Sequence, residues 1–319
     1  MNYIVFDLEW NQSPGGKKYS NARLPFEIIE IGAVKLNEEF EVIDTFQRLI
    51  KPQVYNWIHD SIHDVIHVDY KDLEQGMSFK QAAREFMRWC GEKYAFFTWG
   101  DQDVMELQRN MKYYGILSLL PGPVTYFDVQ KIYGVLYEEE AQRRSLEHAI
   151  DKLEIPKVRE FHRALTDAAY TADVLNRLDR SSIMTNYSID VYQNPKSRKE
   201  EIYISYPSYD MYVSREFADK EKVIKDREVS STRCPVCNMP AKRKIRWFVN
   251  NSRIYESLAY CQKHGFIWGK VRIRHTEDDA YYAIKTLRPI DEKNAEELRV
   301  KRDTLRKKKQ AKRQSEKLI

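Results

Sequence analysis

A chain of 319 residues with 42% hydrophobic content exceeds a typical single domain and can bury real cores, so one main domain with a smaller companion is expected. It contains no run of about eighteen uncharged apolar residues, and it enters a strand at once with neither charged leader nor apolar signal core; a membrane span is excluded and the cytoplasm expected. The net charge of +5 hides a division, because residues 1–180 hold 22 Lys and Arg against 29 Asp and Glu (−7), leaving 31 against 19 (+12) for residues 181–319. An acidic first part concentrates cations but repels a polyanion, whereas a basic remainder supplies salt-dependent attraction for phosphates.

The apolar run Tyr3-Ile4-Val5-Phe6-Asp7-Leu8-Glu9 reads as a buried strand, and alternation sends Asp7 and Glu9 to one face. Two carboxylates on a buried face need a cation, which suggests hard divalent ions such as Mg²⁺ or Mn²⁺; the bland alternative is a strand end emerging into solvent. A loop over 11–25 follows, and its Pro14-Gly15-Gly16-Lys17-Lys18 lacks phosphate-loop spacing and reads as flexible backbone. Strands over 28–36 and 42–50 suggest a meander with the first. His59, His63 and His67 recur every fourth residue among Asp60, Asp64 and Asp69 without a recognisable metal pattern, and read as solvated. Phe79, Ala83, Phe86 and Cys90 mark a helix, with Cys90 a buried thiol. A strand over 95–99 leads through Trp99-Gly100 into a helix carrying Asp103, and helical patterns follow over 129–136 and 146–153. Strands followed by interleaved helices give an α/β fold with a mixed sheet.

The stripe Leu165, Ala168, Ala169, Ala172, Leu175 and Leu178 predicts a helix over 164–178, with Asp167 at the edge of its buried side. At about 100° per residue His162 and Asp167 are roughly 140° apart and cannot share a helical face. His162 therefore falls in the preceding loop, where its ring can reach a water. Read blandly, it is a loop histidine and Asp167 a first-turn acid favoured by the helix dipole.

Asp7-Leu8-Glu9, a mid-chain acid before a helix, and His162-Arg163-Ala164-Leu165-Thr166-Asp167 together resemble the DEDDh group of 3′-to-5′ exonucleases. The resemblance covers about residues 1–180, including Phe127-Asp128-Val129 and Ser145-Leu146-Glu147; the FDLEWNQ opening and the TWG before the mid-chain acid look most like the Eri-type and sporulation-inhibitor-like members. It implies a ribonuclease H-like fold, with Asp7, Glu9, Asp103 and Asp167 as ligands of two Mg²⁺ or Mn²⁺ ions and His162 as general base. Asp101 also precedes the helix, but Asp103 with Leu107 four residues on fits the group's pattern, so Asp103 is assigned and Asp101 kept second. The group brings the 3′-terminal nucleotide against this strand, so Trp10 is a candidate to stack on the last base, or else a core residue. An imidazole is suited to accept a proton at neutral pH.

Poor periodicity over 181–229, with tyrosine-rich pieces such as Ile202-Tyr203-Ile204-Ser205-Tyr206, reads as a linker or an extension packed on either domain. Cys234-Pro235-Val236-Cys237 and Cys261-Gln262-Lys263-His264 are two pairs with two-residue gaps, the spacing of one structural Zn²⁺ site in a small ribbon-like module over 230–290. A redox role for the first pair would leave the second unexplained. Within this β-rich module, Phe266 to Arg274 alternates: Ile267, Val271 and Ile273 face one way, and Phe266, Trp268, Lys270, Arg272 and Arg274 the other, a face suited to stack bases and hold phosphates, which a strand over 246–249 would extend with Arg246 and Phe248. The basic tail 291–319, with Arg306-Lys307-Lys308-Lys309, reads equally as a solubilising helix, a disordered tail or an RNA contact. Two functions remain: a metal-dependent exonuclease acting on RNA or single-stranded ends, RNA ahead of DNA, or a non-catalytic nucleic-acid-binding or regulatory protein whose zinc module recruits a partner. No motif identifies a protein partner.

Overall fold

The computed structural model describes residues 1–56, 70–139, 142–276 and 278–315, so His59, His63 and His67 lie outside the described residues. Two compact units divide the chain, Met1–Gln193 and Asn194–Ile319. Among the described residues, no helix is long and apolar enough to cross a membrane.

The first unit contains β1 (Asn2–Gln12), β2 (Phe26–Leu36), β3 (Val42–Leu49), α1 (Tyr70–Glu74), α2 (Phe79–Cys90), β4 (Tyr94–Thr98), α3 (Gln102–Tyr113), β5 (Val124–Asp128), α4 (Val129–Tyr137), α5 (Leu146–Lys152), α6 (Ala164–Leu175), α7 (Arg180–Thr185) and β6 (Ser188–Asp190). Its sheet runs β3-β2-β1-β4-β5-β6, with β1, β4 and β5 parallel and the other pairs antiparallel. The central strand β1 is apolar on both faces because both are covered. Ile4, Phe6 and Leu8 pack on Phe86 of α2 and on Val104, Leu107 and Met111 of α3. Val5 packs with Ile132 of α4 and with Ala168 and Ala172 of α6. Asp7 and Glu9 are the next residues along Val5's face, so the chain's acids begin where that apolar layer ends. Helix α6 stops at Leu175, short of the predicted 178; Leu178 is buried from the turn that follows.

The second unit contains β7 (Ile202–Ser205), β8 (Asp210–Val213), α8 (Lys220–Lys225), α9 (Arg227–Ser230), β9 (Lys242–Asn251), β10 (Ile254–Cys261), β11 (Gly265–His275), β12 (Tyr281–Ile290) and α10 (Glu292–Ser315). These strands form an antiparallel sheet in the order β7-β8-β12-β11-β10-β9. Val271 and Ile273 of β11 pack on Val223 and Val229 of α8 and α9, and Ile267 on the cysteine turns. On the opposite face, Ile245 and Leu258 are covered by Ala295 and Leu298 of α10.

Two expectations sharpen. Of the two readings of 181–229, linker or packed extension, the structure has the extension: α7 and β6 complete the first unit, while β7 and β8 extend the second sheet well beyond 230–290. Four-residue strands carry little alternation, and β8 finds its partner some seventy residues on, where Val213 lies opposite Ile284. The basic tail begins as packed structure, because α10 turns Ala295 and Leu298 into a core before its polar continuation.

Candidate metal centres

Asp7 and Glu9 project from β1 and Asp167 from the first turn of α6, and one carboxylate oxygen of each lies within 4.8 Å of the others. Gly32 makes this possible. It sits opposite Asp7 in the β1–β2 register, and a Cβ there would meet the Leu165 nitrogen at 1.9 Å and the Ala164 carbonyl carbon at 2.1 Å. The helix start therefore rests directly on β2, which brings Asp167 down to the acids. Asp103 lies outside this group of three but beside it: its Oδ1 accepts the Leu8 N–H at 3.3 Å, between Asp7 and Glu9, and it is buried. Asp101, at the N-cap of α3, is exposed and makes no capping bond with its side chain.

Burial is the largest cause of the raised pKa values of these acids, and mutual repulsion adds to it. Asp7 is pushed well above the usual carboxylate range by desolvation, then by Asp103, Glu9 and Asp167. Desolvation, with Asp167 and Glu30 next, carries Glu9 up to about 8. Asp103 rises to about 7 by desolvation, against the opposing backbone N–H bonds, and Asp167 to about 6 by desolvation, against the His162 N–H. Among the described residues Oδ1 of Asp167, itself buried, finds no hydrogen-bond partner, a costly state for a carboxylate. Hard oxygen donors, crowded, desolvated and partly orphaned, fit divalent cations such as Mg²⁺ or Mn²⁺.

His162 precedes α6 in the left-handed region, φ 66°, and its backbone N–H donates to Asp167 Oδ2 at 3.1 Å. Its side chain is exposed and lines a recess of about 610 Å³ with Leu146, Glu147, Phe161 and Asp167. Trp10 does not join the acids; alternation along β1 sends it to the face of Phe6 and Leu8, onto Phe26, 5.9 Å between rings, and onto the core. Asp128 and Ser145, noted within the resemblance, are N-caps: they accept the N–H of Lys131 and of His148 and start α4 and α5. The sequence reading missed Glu30 and Arg163. Glu30, opposite Glu9 and 1% exposed, takes two bonds from the Arg163 guanidinium at 3.0 and 3.1 Å and one from Gln47 at 2.6 Å. Arg163 follows His162 directly, so adjacency was the only available signal.

In the second unit, the four expected ligands converge on two turns, Cys234 and Cys237 before β9 and Cys261 and His264 at the β10–β11 hairpin. Tetrahedral Zn²⁺ with ordinary bond lengths sets S···S at about 3.8 Å and S···N at about 3.6 Å. The observed separations are 3.7 Å for Cys237 Sγ to Cys261 Sγ, and 3.4 and 3.7 Å for His264 Nδ1 to the Sγ atoms of Cys234 and Cys261. All three thiols are free, and backbone N–H bonds, that of Lys263 first, draw Cys261 down to about 6, toward the thiolate a metal binds.

Of the residues expected on the outer face of β11, Phe266 and Trp268 are half-buried against α10, with Arg299 5.1 Å over the Phe266 ring. Lys270 lies 5.5 Å over Trp268, and Arg272 and Arg274 are exposed. The aromatics thus pack within the protein, because α10 covers them.

The family model described as Exonuclease (RNase_T) matches residues 4–175. Among solved structures, the nuclease domain of 3'hExo, a DEDDh family member bound to rAMP, is similar at 20% identity, covering 59% of this chain and 96% of that chain, with a TM-score of 0.50. A 3'-exonuclease solved in recognition of a histone mRNA stem-loop is also 20% identical, covering 59% and 85%, at 0.49. Pop2p of S. pombe, in a Mg²⁺- and Mn²⁺-bound form, is 18% identical, covering 55% and 81%, at 0.42. No curated protein matches the sequence. The family match runs from β1 to the end of α6, enclosing Asp7, Glu9, Asp103, His162 and Asp167 within more than half of the chain. The chain belongs to the exonuclease family of that model, and it shares the ribonuclease H-like fold of the 3'hExo nuclease domain.

Proposed function

We propose that this enzyme, as a DEDDh-type exonuclease, removes nucleotides in the 3′-to-5′ direction from RNA or single-stranded nucleic-acid ends, RNA ahead of DNA, by two-metal hydrolysis in which Asp7, Glu9, Asp103 and Asp167 hold two Mg²⁺ or Mn²⁺ ions and His162 acts as general base. The observation that carries this reading is the approach of Asp7, Glu9 and Asp167 to within 4.8 Å, together with the buried, partnerless Oδ1 of Asp167. When bound, the two ions supply positive charge at both the attacking and the departing oxygen. The chain's own part is to hold oxygens in place: two from one face of a rigid central strand, one from a helix start seated on Gly32, and Asp103 tied to the same strand through Leu8 N–H. His162 is anchored to Asp167 by its backbone while its ring lies beside Phe161, 6.4 Å between centroids, at the edge of the recess, where it can take the proton of the attacking water. Leu146 and Phe161, the latter stacked on Tyr170 at 4.8 Å, offer the recess an apolar wall for a sugar or base.

RNA is placed first because the 3'hExo nuclease domain, whose fold this chain shares, was solved with rAMP. Cys234, Cys237, Cys261 and His264 are assigned to one structural Zn²⁺, since four protein ligands leave no open position. A non-catalytic role is disfavoured, because a retired site has no physical reason to keep so many desolvated acids together. The test is digestion of matched RNA and DNA strands, labelled at the 5′ or the 3′ end, across a Mg²⁺ and Mn²⁺ titration. Stepwise ladders on the 5′-labelled strand, immediate release of label from the 3′-labelled one, and loss of both with Asp7→Asn are expected. Internal cuts, or full hydrolysis by Asp7→Asn, would contradict the assignment.

A further inference from the structure

The outer face of the second sheet is divided along its strands. Helix α10 covers the end bearing Phe266, Trp268 and Leu258, and its Lys301 reaches Glu256 at 2.7 Å. Beyond Glu256 the cover stops, and a recess of about 580 Å³ opens, lined by Ser252, Arg253, Arg272 and Arg274. None of these three arginine side chains has an acidic partner among the described residues. Arg215 and Arg299 of the same unit, by contrast, each hold two carboxylates. The backbone beneath is fixed: Ile273 N–H donates to the Arg253 carbonyl at 2.8 Å, Asn251 Oδ1 accepts the Arg253 N–H at 3.0 Å, and the Lys220 ammonium donates to the Ser252 carbonyl. Three planar cations on a rigid sheet end, without internal counter-charge, suit successive phosphodiester oxygens, which take a guanidinium bidentately.

We infer that Arg253, Arg272 and Arg274 form a phosphate clamp for the backbone of a single-stranded nucleic acid, and that recognition there is by charge and not by base stacking, because α10 already occupies the aromatic half of the face. This inference rests on the exonuclease reading for its substrate class. Neutralising three phosphates of a single strand contributes about −2 to the slope of log affinity against log salt, so a fourfold rise in salt costs about 18-fold in affinity through these residues.

The experiment is fluorescence anisotropy with the full-length chain carrying Asp7→Asn to protect the probe, titrating 5′-labelled oligothymidylate and oligoadenylate at several salt concentrations. Arg253→Gln, Arg272→Gln and Arg274→Gln combined should flatten the slope by about 2, equally for both probes, while the triple Lys variant keeps most of it. An unchanged slope, or a loss confined to one base, would overturn the clamp. Turnover of a dinucleotide by the triple Gln variant without Asp7→Asn reads the carboxylate cluster separately: normal turnover is expected, and failure of wild-type turnover would sink the exonuclease reading and leave the anisotropy result standing.

Discussion

Replacing Gly32 with Ala adds one methyl in a place where only backbone can yield. The new carbon would lie 1.9 Å from the Leu165 nitrogen, 2.1 Å from the Ala164 carbonyl carbon and 2.5 Å from Leu165 Cα, whereas ordinary contact begins at 3.4 Å. The first turn of α6 must therefore retreat by about 1–1.5 Å or β2 must bend, and overpacking of this kind costs about 1–3 kcal/mol. In a unit of this size that lowers Tm by about 2–12 °C. Asp167 travels with the turn, and a metal-holding constellation tolerates displacements of only about 0.5 Å. Misplacement by about 1 Å costs about 100-fold in rate. Initial rates on a 5′-labelled oligonucleotide at saturating Mn²⁺, with circular dichroism to verify folding, should show that loss in a folded protein. A folded Gly32→Ala enzyme within about twofold of wild type, with the same Mn²⁺ dependence, would refute the idea that the α6 seat positions Asp167; if Gly32→Ala fails to fold, Asp167→Asn read in the same assay decides whether that acid matters.

The cluster should also make the metal-free protein pH-sensitive. Glu9, Asp103 and Asp167, held at about 8, 7 and 6, keep protons that the unfolded chain releases near pH ~4, so their contribution is favourable at low pH and is lost as pH rises through the folded values. Metal-free Tm should fall between about pH 5 and 8 and Mn²⁺ should restore it most at the upper end; a metal-free Tm that rises over that interval contradicts this. Arg163→Ala leaves Glu30 buried and unmatched by its guanidinium, at about 2–5 kcal/mol in urea denaturation, and adding Glu30→Gln should recover most of it. No recovery in the double variant would mean that the pair does not act as a unit. Cys261→Ala should abolish bound zinc by metal analysis and the cooperative unfolding of the second unit, while dinucleotide turnover persists; retention of a full zinc equivalent would remove the metal assignment.

The elements around the acids were legible because their signals are local. An apolar run followed by two alternate acids specifies a buried strand with a polar tip, and α2 was readable in full from its stripe Phe79, Ala83, Phe86 and Cys90. The incompatibility of a five-residue spacing with one helical face placed His162 before α6, as found. What stayed hidden depends on contacts distant in sequence. Gly32 looks like any strand glycine until α6 is laid upon it, and Glu30 like a third surface acid until Arg163 arrives from 133 residues away. The face of β11 was assigned correctly by alternation, but alternation cannot say what covers a face, and a tail rich in lysine gave little sign that Ala295 and Leu298 would cover it. The short strands β7 and β8 escaped for a similar reason, since the pairing of β8 with β12, and of β7 with β8, and not their own pattern makes them strands.

The division of charge matches the chemistry proposed for the two units. Met1–Gln193 holds 22 basic against 30 acidic residues, and Asn194–Ile319 holds 31 against 18. On the proposed reading, four carboxylates holding two divalent cations leave no net positive charge, so the site cannot also be a strong electrostatic trap for a polyanion. Attraction placed on a separate basic surface escapes that conflict: it can be strengthened by adding arginines without disturbing oxygens that must stay within half an ångström. If the proposed clamp operates, salt should act chiefly on KM for long strands and little on kcat. A dinucleotide, with too few phosphates to fill the proposed clamp, should show neither the low KM nor its salt dependence.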